Sequence, residues 1–203
     1  MDRTITVDAL GADPEFVHLS ALPGLAIDLR YASPRNLLGR DLYAPHDCAW
    51  LHLHAAQALQ RATAWLAREQ PALRLLVLDA ARPQRVQEQF WALVEGTPMQ
   101  PYFAPPARGS IHSFGMAVDL TLIDAAGREL DLGTPFDDTS ELAHPALEHA
   151  HAAAGRLNAD QLERRRLLRT AMLQGGWQPI ASEWWHFDCG DRAEVRQRWR
   201  RIV

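Results

Sequence analysis

SIHSFGMAVDLTLIDAAGRELDLG, residues 110–133, joins a strong strand pattern to a pair of possible metal ligands. Its apolar second half predicts a strand, a turn around residues 125–127 and a returning strand. The first half carries His112 and Asp119 on either side of Gly115. In a plain strand, residues seven apart point to opposite faces, so these side chains would diverge. Glycine permits a bend or bulge that turns both toward one point, and an imidazole with a carboxylate suits zinc.

Upstream of this segment, the apolar periodicity predicts a strand between two helices. The first helix is expected to begin after Asp47 as its N-cap and to stop at Pro71. The run LRLLVLD, residues 73–79, predicts a buried strand. Pro83 suits the start of a second helix. The inner face of that helix is predicted to consist of four apolar residues, Val86, Phe90, Leu93 and Val94.

The remaining segments mix strands, helices and loops. Residues 1–45 are broken by prolines and glycines and favour short strands and loops, and residues 96–109 predict an extended loop. Residues 139–154 and 159–174 have helical patterns, while WQPIASEWWHFD, residues 177–188, predicts strand and turn. Because these elements do not alternate regularly, we expect an α+β fold with a central antiparallel sheet flanked by helices.

Composition limits the class of protein and its partners. The length of 203 residues favours a single domain over residues 1–203. The formal net charge of −4 gives no reason to expect nucleic acid or an anionic membrane as partner. The start, MDRTITVDALGADPEF, lacks the basic and apolar regions of a secretory signal, so we expect a cytoplasmic protein. Cys48 and Cys189 are expected to be free thiols in a reducing compartment.

A further ligand is expected from the aromatic segment near the C-terminus. Glu183 and His186 lie three residues apart there, separated by two tryptophans. His186 can complete a three-ligand zinc site with an open position, as hydrolases use. Glu183 need not bind the metal, because a carboxylate held beside the attacking water can act as general base.

The other histidines are expected to have no part in a site. His52 and His54 lie two apart on the predicted first helix, so their side chains diverge and cannot hold a metal together. Five further histidines are isolated in sequence or expected at the surface: His18, His46, His144, His149 and His151.

Two spaced motifs resemble a known family. SxHxxGxAxD, residues 110–119, and ExxH, residues 183–186, are similar to the paired metal motifs of the D-alanyl-D-alanine metallopeptidases. The resemblance runs from about residue 25 to the C-terminus. The pieces closest to the dipeptidase branch are DLRYAS (28–33), LDAARP (78–83), DLGTPFDD (131–138) and EWWHF (183–187). It implies a zinc dipeptidase that cleaves D-alanyl-D-alanine into two D-alanines.

The resemblance also implies roles for individual residues. His112, Asp119 and His186 would bind one zinc ion per chain. Glu183 would be the general base, and Arg82 would face the scissile carbonyl. Arg82 follows a predicted buried strand, where a side chain can enter a cleft and stabilise a developing oxyanion.

Substrate-binding residues are expected on either side of these groups. In the resemblance, Asp138 is the carboxylate that binds the substrate ammonium, with Asp137 as the alternative, and Tyr31 is a further substrate-binding residue. Ser110 lies two residues before His112, so in an extended segment both side chains share one face. We therefore expect the Ser110 hydroxyl to hold the substrate carboxylate.

Alternative functions remain within the same architecture. One is a D,D-carboxypeptidase or L,D-peptidase acting on peptidoglycan peptides. Another is an inactive interaction domain with structural zinc, although such a domain would need neither Glu183 nor Arg82. A metal-independent binding protein is the third.

Overall fold

The computed structural model describes residues 3–36, 38–97, 99–100 and 104–203. The strands within these residues are β1 (Thr4–Ile5), β2 (Phe16–His18), β3 (Ala26–Ile27), β4 (Trp50–His52), β5 (Arg74–Asp79), β6 (Ala117–Ile123), β7 (Trp177–Pro179), β8 (His186–Cys189) and β9 (Arg201–Ile202). The α-helices there are α1 (Leu53–Glu69), α2 (Gln84–Val94), α3 (Glu148–Ala153), α4 (Ala159–Gly175) and α5 (Arg192–Arg198). None of the described helices is both long enough and apolar enough to cross a bilayer.

A central sheet organises the chain. In the described residues it has five strands in the order β3-β5-β6-β8-β7. The pairs from β5 to β7 are antiparallel, and only the edge strand β3 runs parallel to its neighbour. Every residue of β6 is buried, which is typical of a strand covered on both faces. The expected α+β class with a central, mainly antiparallel sheet is confirmed.

Helices α1 and α4 pack directly against each other. A side chain at Gly175, the last residue of α4, would lie 2.5 Å from the carbonyl oxygen of Ala58 in α1, so only glycine allows this approach. Asn158 and Gln161 form a capping box at the start of α4, and Gly176 ends the helix in the left-handed conformation. The predicted end of this helix at residues 175–176 is confirmed.

The start of α1 differs from the prediction. Residues 50–52 form β4 and pair with β2, so the helix begins only at Leu53, with His52 as its N-cap. The Asp47 carboxylate instead accepts hydrogen bonds from the backbone of Ala49 and from His18. A short apolar run fits strand and helix equally well, and pairing with β2 decides the outcome.

Other segments also depart from the sequence pattern. Leu93, expected on the inner face of α2, is 55% exposed. The returning strand after β6 is reduced to one bridge between Ile123 and Glu129 in the described residues. In 139–154, only α3 is α-helical, and shorter 3-10 turns precede it. Of the predicted loop 96–109, residues 98 and 101–103 lie outside the described residues.

Candidate active site

Three neighbouring strands align acidic and basic side chains in one row. Asp79, the last residue of β5, lies opposite Asp119 of β6, and Asp119 lies opposite His186, the first residue of β8. All three are buried. The strand register therefore sets the positions of two of the expected metal ligands.

His112 reaches the same point from a turn. Residues 111–114 form a 3-10 turn that ends at Gly115, whose φ of 64° lies in the left-handed region. A Cβ at Gly115 would also lie 2.8 Å from the backbone nitrogen of His52, so glycine is required for both conformation and space. The chain bends at Gly115 as expected, and the bend brings His112 beside Asp119.

The three side chains converge on one point. His112 Nε2 lies 3.3 Å from Asp119 Oδ1 and 3.2 Å from His186 Nδ1. His186 Nδ1 lies 3.0 Å from the same Asp119 oxygen. Among the described residues, this is the group of histidine, cysteine and acidic side chains close enough to hold a metal ion. A tetrahedral ion with bonds of about 2.0–2.2 Å separates its ligand atoms by about 3.3–3.6 Å, close to this arrangement.

Outer hydrogen bonds fix which imidazole nitrogen faces the centre. His112 Nδ1 donates to the carbonyl oxygen of Ala80 at 2.9 Å, which leaves Nε2 as the ligand atom. His186 Nε2 donates to Asp188 Oδ1 at 2.9 Å, which leaves Nδ1. Asp188 in turn accepts from Arg192 Nε at 2.6 Å. These carbonyl and carboxylate partners are the usual second layer around metal-binding histidines.

The electrostatics of the centre favour positive charge between the side chains. Burial lowers the pKa of His186, but the carboxylates of Asp188 and Asp119 outweigh it and raise that pKa to about 10. Burial raises the pKa of Asp119, yet His112 and His186 hold it well below its ordinary value. Two imidazole nitrogens that face each other at 3.2 Å need a proton or a metal ion between them. The donor set thus fits a divalent metal.

Glu183 lies beside this centre without joining it. Its Oε2 is 3.9 Å from His186 Nδ1, and its side chain lines the same cavity. Burial raises the pKa of Glu183 above its ordinary value. A carboxylate with a raised pKa beside a group that could hold a metal ion is suited to exchange protons with a water molecule there.

Arg82 is held rigidly at the end of β5. Its Nε and Nη2 donate to Asp79 Oδ2 at 2.9 and 2.7 Å, and Nη2 lies 3.4 Å from Asp119 Oδ2. The guanidinium also lies 5.0 Å from the ring centre of Tyr31. Asp79 accepts a further hydrogen bond from Tyr43. Because Asp79 holds only its Nε and Nη2 at short distance, the buried Arg82 can present positive charge and its remaining donors to the cavity.

Sequence reasoning missed Asp79 and Asp188. Asp188 carried a usable signal, because it lies two residues after His186 and shares its face of a strand. Asp79 carried no comparable signal. It lies three residues before Arg82 in LDAARP, but its hydrogen bond with Tyr43 depends on tertiary contacts that the sequence does not show.

The cavity itself is small, with a volume of about 180 Å³. Pockets for drug-sized ligands typically measure about 300–1,000 Å³, so this cavity suits a smaller molecule. The expected catalytic, metal-binding and substrate-binding side chains all line it: Tyr31, Arg82, Ser110, His112, Asp119, Asp138, Glu183 and His186. Asp137, the alternative to Asp138, lines it as well.

Asp137 and Asp138 have different surroundings. Both carboxylate oxygens of Asp137 lie 2.9 Å from the Tyr31 hydroxyl, and burial raises the pKa of Asp137 to about 8. Its backbone has a φ of 64°, a conformation that Asp tolerates better than most residues. Asp138 Oδ1 instead accepts a hydrogen bond from the backbone of Ser140 at 2.7 Å.

Ser110 borders the turn that carries His112, and two of the other histidines, His52 and His151, are buried. The Ser110 side chain, 9% exposed, forms no capping bond to the turn that it precedes in the described part of the chain. His52 precedes α1 and is buried, and His151, expected at the surface, is buried and bonded to the carbonyl oxygen of Glu141. Neither belongs to the candidate metal-binding group, which consists of His112, Asp119 and His186.

Comparison with known proteins agrees with this site. The sequence profile described as D-Ala-D-Ala dipeptidase matches residues 13–202. A D-alanyl-D-alanine dipeptidase of Escherichia coli strain K12 is 37% identical over 175 residues, which cover 86% of this chain and 84% of that protein. Proteins of the same name from Synechocystis and Enterococcus faecium are each 28% identical, over 79% and 85% of this chain and 82% and 87% of their own lengths. The chain belongs to the D-Ala-D-Ala dipeptidase family of metallopeptidases.

Proposed function

We propose that this chain is a zinc-dependent dipeptidase that hydrolyses D-alanyl-D-alanine to two D-alanines. The observation that carries the proposal is the convergence of His112 Nε2, Asp119 Oδ1 and His186 Nδ1 within 3.0–3.3 Å in a cavity that Glu183 and Arg82 also line. The names of the relatives supply the substrate, and the cavity volume of about 180 Å³ is compatible with a dipeptide.

The proposed metal ligands are His112, Asp119 and His186, one zinc ion per chain. Two imidazoles and a carboxylate form a donor set that zinc hydrolases use, with a position left open for water or substrate. When bound, zinc would supply an activated water and polarise the scissile carbonyl. The hydrogen bonds from His112 to Ala80 and from His186 to Asp188 support this assignment, because they fix both tautomers.

Glu183 and Arg82 carry the proposed chemistry of the chain itself. Glu183 accepts a proton from the attacking water and returns it to the leaving amine, a cycle that its raised pKa favours. Arg82 donates to the carbonyl oxygen as negative charge develops there. Its two hydrogen bonds to Asp79 hold the guanidinium in place before the substrate arrives.

For the ammonium group of the substrate, we favour Asp137 over Asp138. The half-buried Asp137 carboxylate is bonded to the Tyr31 hydroxyl, whereas Asp138 is bonded to its own loop at Ser140. A carboxylate with a pKa of about 8 gains most from a cationic partner, since the ammonium group stabilises its charged form. Ser110 remains the proposed hydroxyl donor to the carboxylate end, and Tyr31 positions Asp137.

We further propose that residues 1–203 form one peptidase domain and that it works in the cytoplasm. The family match over residues 13–202 supports the first point. In the described residues, Cys48 and Cys189 are buried free thiols. Free thiols favour a reducing compartment.

Hydrolysis of a dipeptide panel, with and without a chelator, tests the proposal. D-Alanyl-D-alanine should be cleaved much faster than L,D- and L,L-dipeptides, and the chelator should abolish cleavage. Preference for a longer peptide ending in D-alanyl-D-alanine would instead indicate a carboxypeptidase. No cleavage of any peptide by the zinc-loaded protein would favour an interaction domain.

A further inference from the structure

Arginines from two elements meet at the edge of the cavity. Arg108 comes from the loop before Ser110, while Arg192 and Arg196 come from α5. Helix α5 packs against the turn that carries His112, so these arginines lie on the Ser110 side of the metal-binding group.

Two of these guanidinium groups, Arg108 and Arg196, form no hydrogen bond or ion pair with an acidic side chain among the residues that the structure describes. Arg192 donates to Asp188. Arg196 donates to the carbonyl oxygens of Gly109 and Arg192, each at 3.2 Å. Within the described residues, the Arg108 side chain forms no hydrogen bond or ion pair. Burial, and then the positive charges of Arg108 and Arg192, lower the pKa of Arg196, and the negative charge of Asp188 offsets them only in part. An anion between these groups would relieve their mutual repulsion.

We propose that Arg108 and Arg196, together with the Ser110 hydroxyl, form an anion-binding subsite for the free carboxylate of the residue that leaves after cleavage. This inference rests on the proposed dipeptidase function. Arg196 Nε is bonded to the carbonyl oxygen of Gly109, the residue directly before Ser110, so its guanidinium lies beside that serine. Guanidinium groups bind carboxylates through paired, charge-assisted hydrogen bonds, which a hydroxyl alone cannot supply.

Arg201 offers a matched control for the structural role of Arg196. Its guanidinium donates to the carbonyl oxygens of Pro106, Ala107 and Arg108 at 3.2–3.4 Å, so it supports the same loop. Arg201 is not among the described residues that line the cavity. A loss of loop support should therefore appear in both the Arg196 and Arg201 variants, whereas a loss of anion binding should appear only in the former.

The kinetic test uses zinc-loaded protein, D-alanyl-D-alanine and its C-terminal amide, the amide being measured as substrate or competitive inhibitor. Arg108→Gln and Arg196→Gln should each raise KM for the free dipeptide about tenfold or more and change kcat less. The KM or Ki of the amide should stay within about twofold, because the amide lacks the anion. Equal effects on both compounds, or a selective effect of Arg201→Gln as large as that of Arg196→Gln, would overturn the proposal.

A binding measurement separates this inference from the proposed function. Calorimetry with D-alanine and D-alaninamide needs no turnover. D-Alanine should bind wild-type protein, and each cavity arginine variant should weaken that binding about tenfold, with Arg201→Gln unchanged. Unchanged affinity in both cavity variants, or no binding to the wild type, would refute the subsite. Failure of the wild type to cleave D-alanyl-D-alanine, with this pattern intact, would refute the activity alone.

Discussion

Asp119 and His186 lie directly opposite each other on neighbouring antiparallel strands, with Asp119 Oδ1 3.0 Å from His186 Nδ1. Backbone pairing thus positions both side chains before any ion binds. His112 joins them from a separate turn, which ends at Gly115. The site combines a pair on the sheet with a third proposed ligand, His112, whose position depends on one glycine.

Loss of His186 should remove the metal. His186→Ala deletes one of three proposed ligands, and the remaining imidazole and carboxylate should hold zinc too weakly to survive dialysis. Elemental analysis of the dialysed variant should show far less than one zinc per chain. His54→Ala, which changes a histidine outside the metal-binding group, should keep its zinc. One zinc per chain in the dialysed His186 variant would exclude this residue as a ligand.

Glu183 should be needed for turnover but not for metal binding. Glu183→Gln keeps the size of the side chain and removes its ability to accept a proton. Activity should fall by about 10²–10⁴-fold, the usual contribution of a general base, while zinc content stays at one per chain. Near-normal turnover would rule out the assigned role, and loss of zinc would make Glu183 a ligand instead.

The same substitution at Asp137 and at Asp138 tests which of the two carboxylates binds the substrate ammonium. Asp137→Asn should raise KM for D-alanyl-D-alanine about tenfold or more, because the amide oxygen carries no charge to pair with the substrate ammonium. It should also abolish the preference for the free dipeptide over its N-acetylated form. Asp138→Asn should have a smaller effect, since that carboxylate is bonded to Ser140. The opposite ranking would restore Asp138, the first choice from the sequence.

Stability should fall in mild acid because of His52. Burial, and then the charge of His54, lower the pKa of His52 to about 4, from an ordinary value of 6.5. Between these values the unfolded chain binds a proton that the folded chain does not, so unfolding becomes easier as pH falls from 6.5 to 4. His52 Nδ1 accepts a hydrogen bond from the backbone N–H of His54 at 3.3 Å, so protonation of Nδ1 removes that acceptor.

The comparison for His52 is His52→Asn, whose amide oxygen can still accept from the backbone of His54. Urea unfolding at pH 7 and pH 4.5 should show a larger loss of stability in wild type than in this variant. The two proteins share every other titratable group, so the difference between their losses isolates His52. Equal losses would mean that His52 does not contribute to the acid sensitivity.

Local patterns predicted the elements better than the contacts between them. The strand at residues 73–79 and the end of α4 follow from apolar periodicity and glycine. His112, Asp119 and His186 could be named because histidines and carboxylates stand out in an apolar context. The strand register that pairs Asp119 with His186, and the bond from Tyr43 to Asp79, depend on distant parts of the chain.

The same limit explains the wrong start predicted for α1 and the open choice between Asp137 and Asp138. Residues 50–52 have a pattern that fits helix or strand, and only the contact with β2 selects the strand. Nothing in the letters GTPFDD distinguishes its two aspartates. The left-handed backbone of Asp137 accompanies the orientation of its side chain toward Tyr31.

The central claim is that one zinc ion, held by His112, Asp119 and His186, makes this chain a D-alanyl-D-alanine dipeptidase. Its most direct test is zinc titration into metal-free wild-type protein while D-alanine release from D-alanyl-D-alanine is followed. We predict no release without metal, a rise in proportion to added zinc, and a plateau at one zinc per chain. Full activity in the metal-free protein, or no activity at one zinc per chain, would contradict the account.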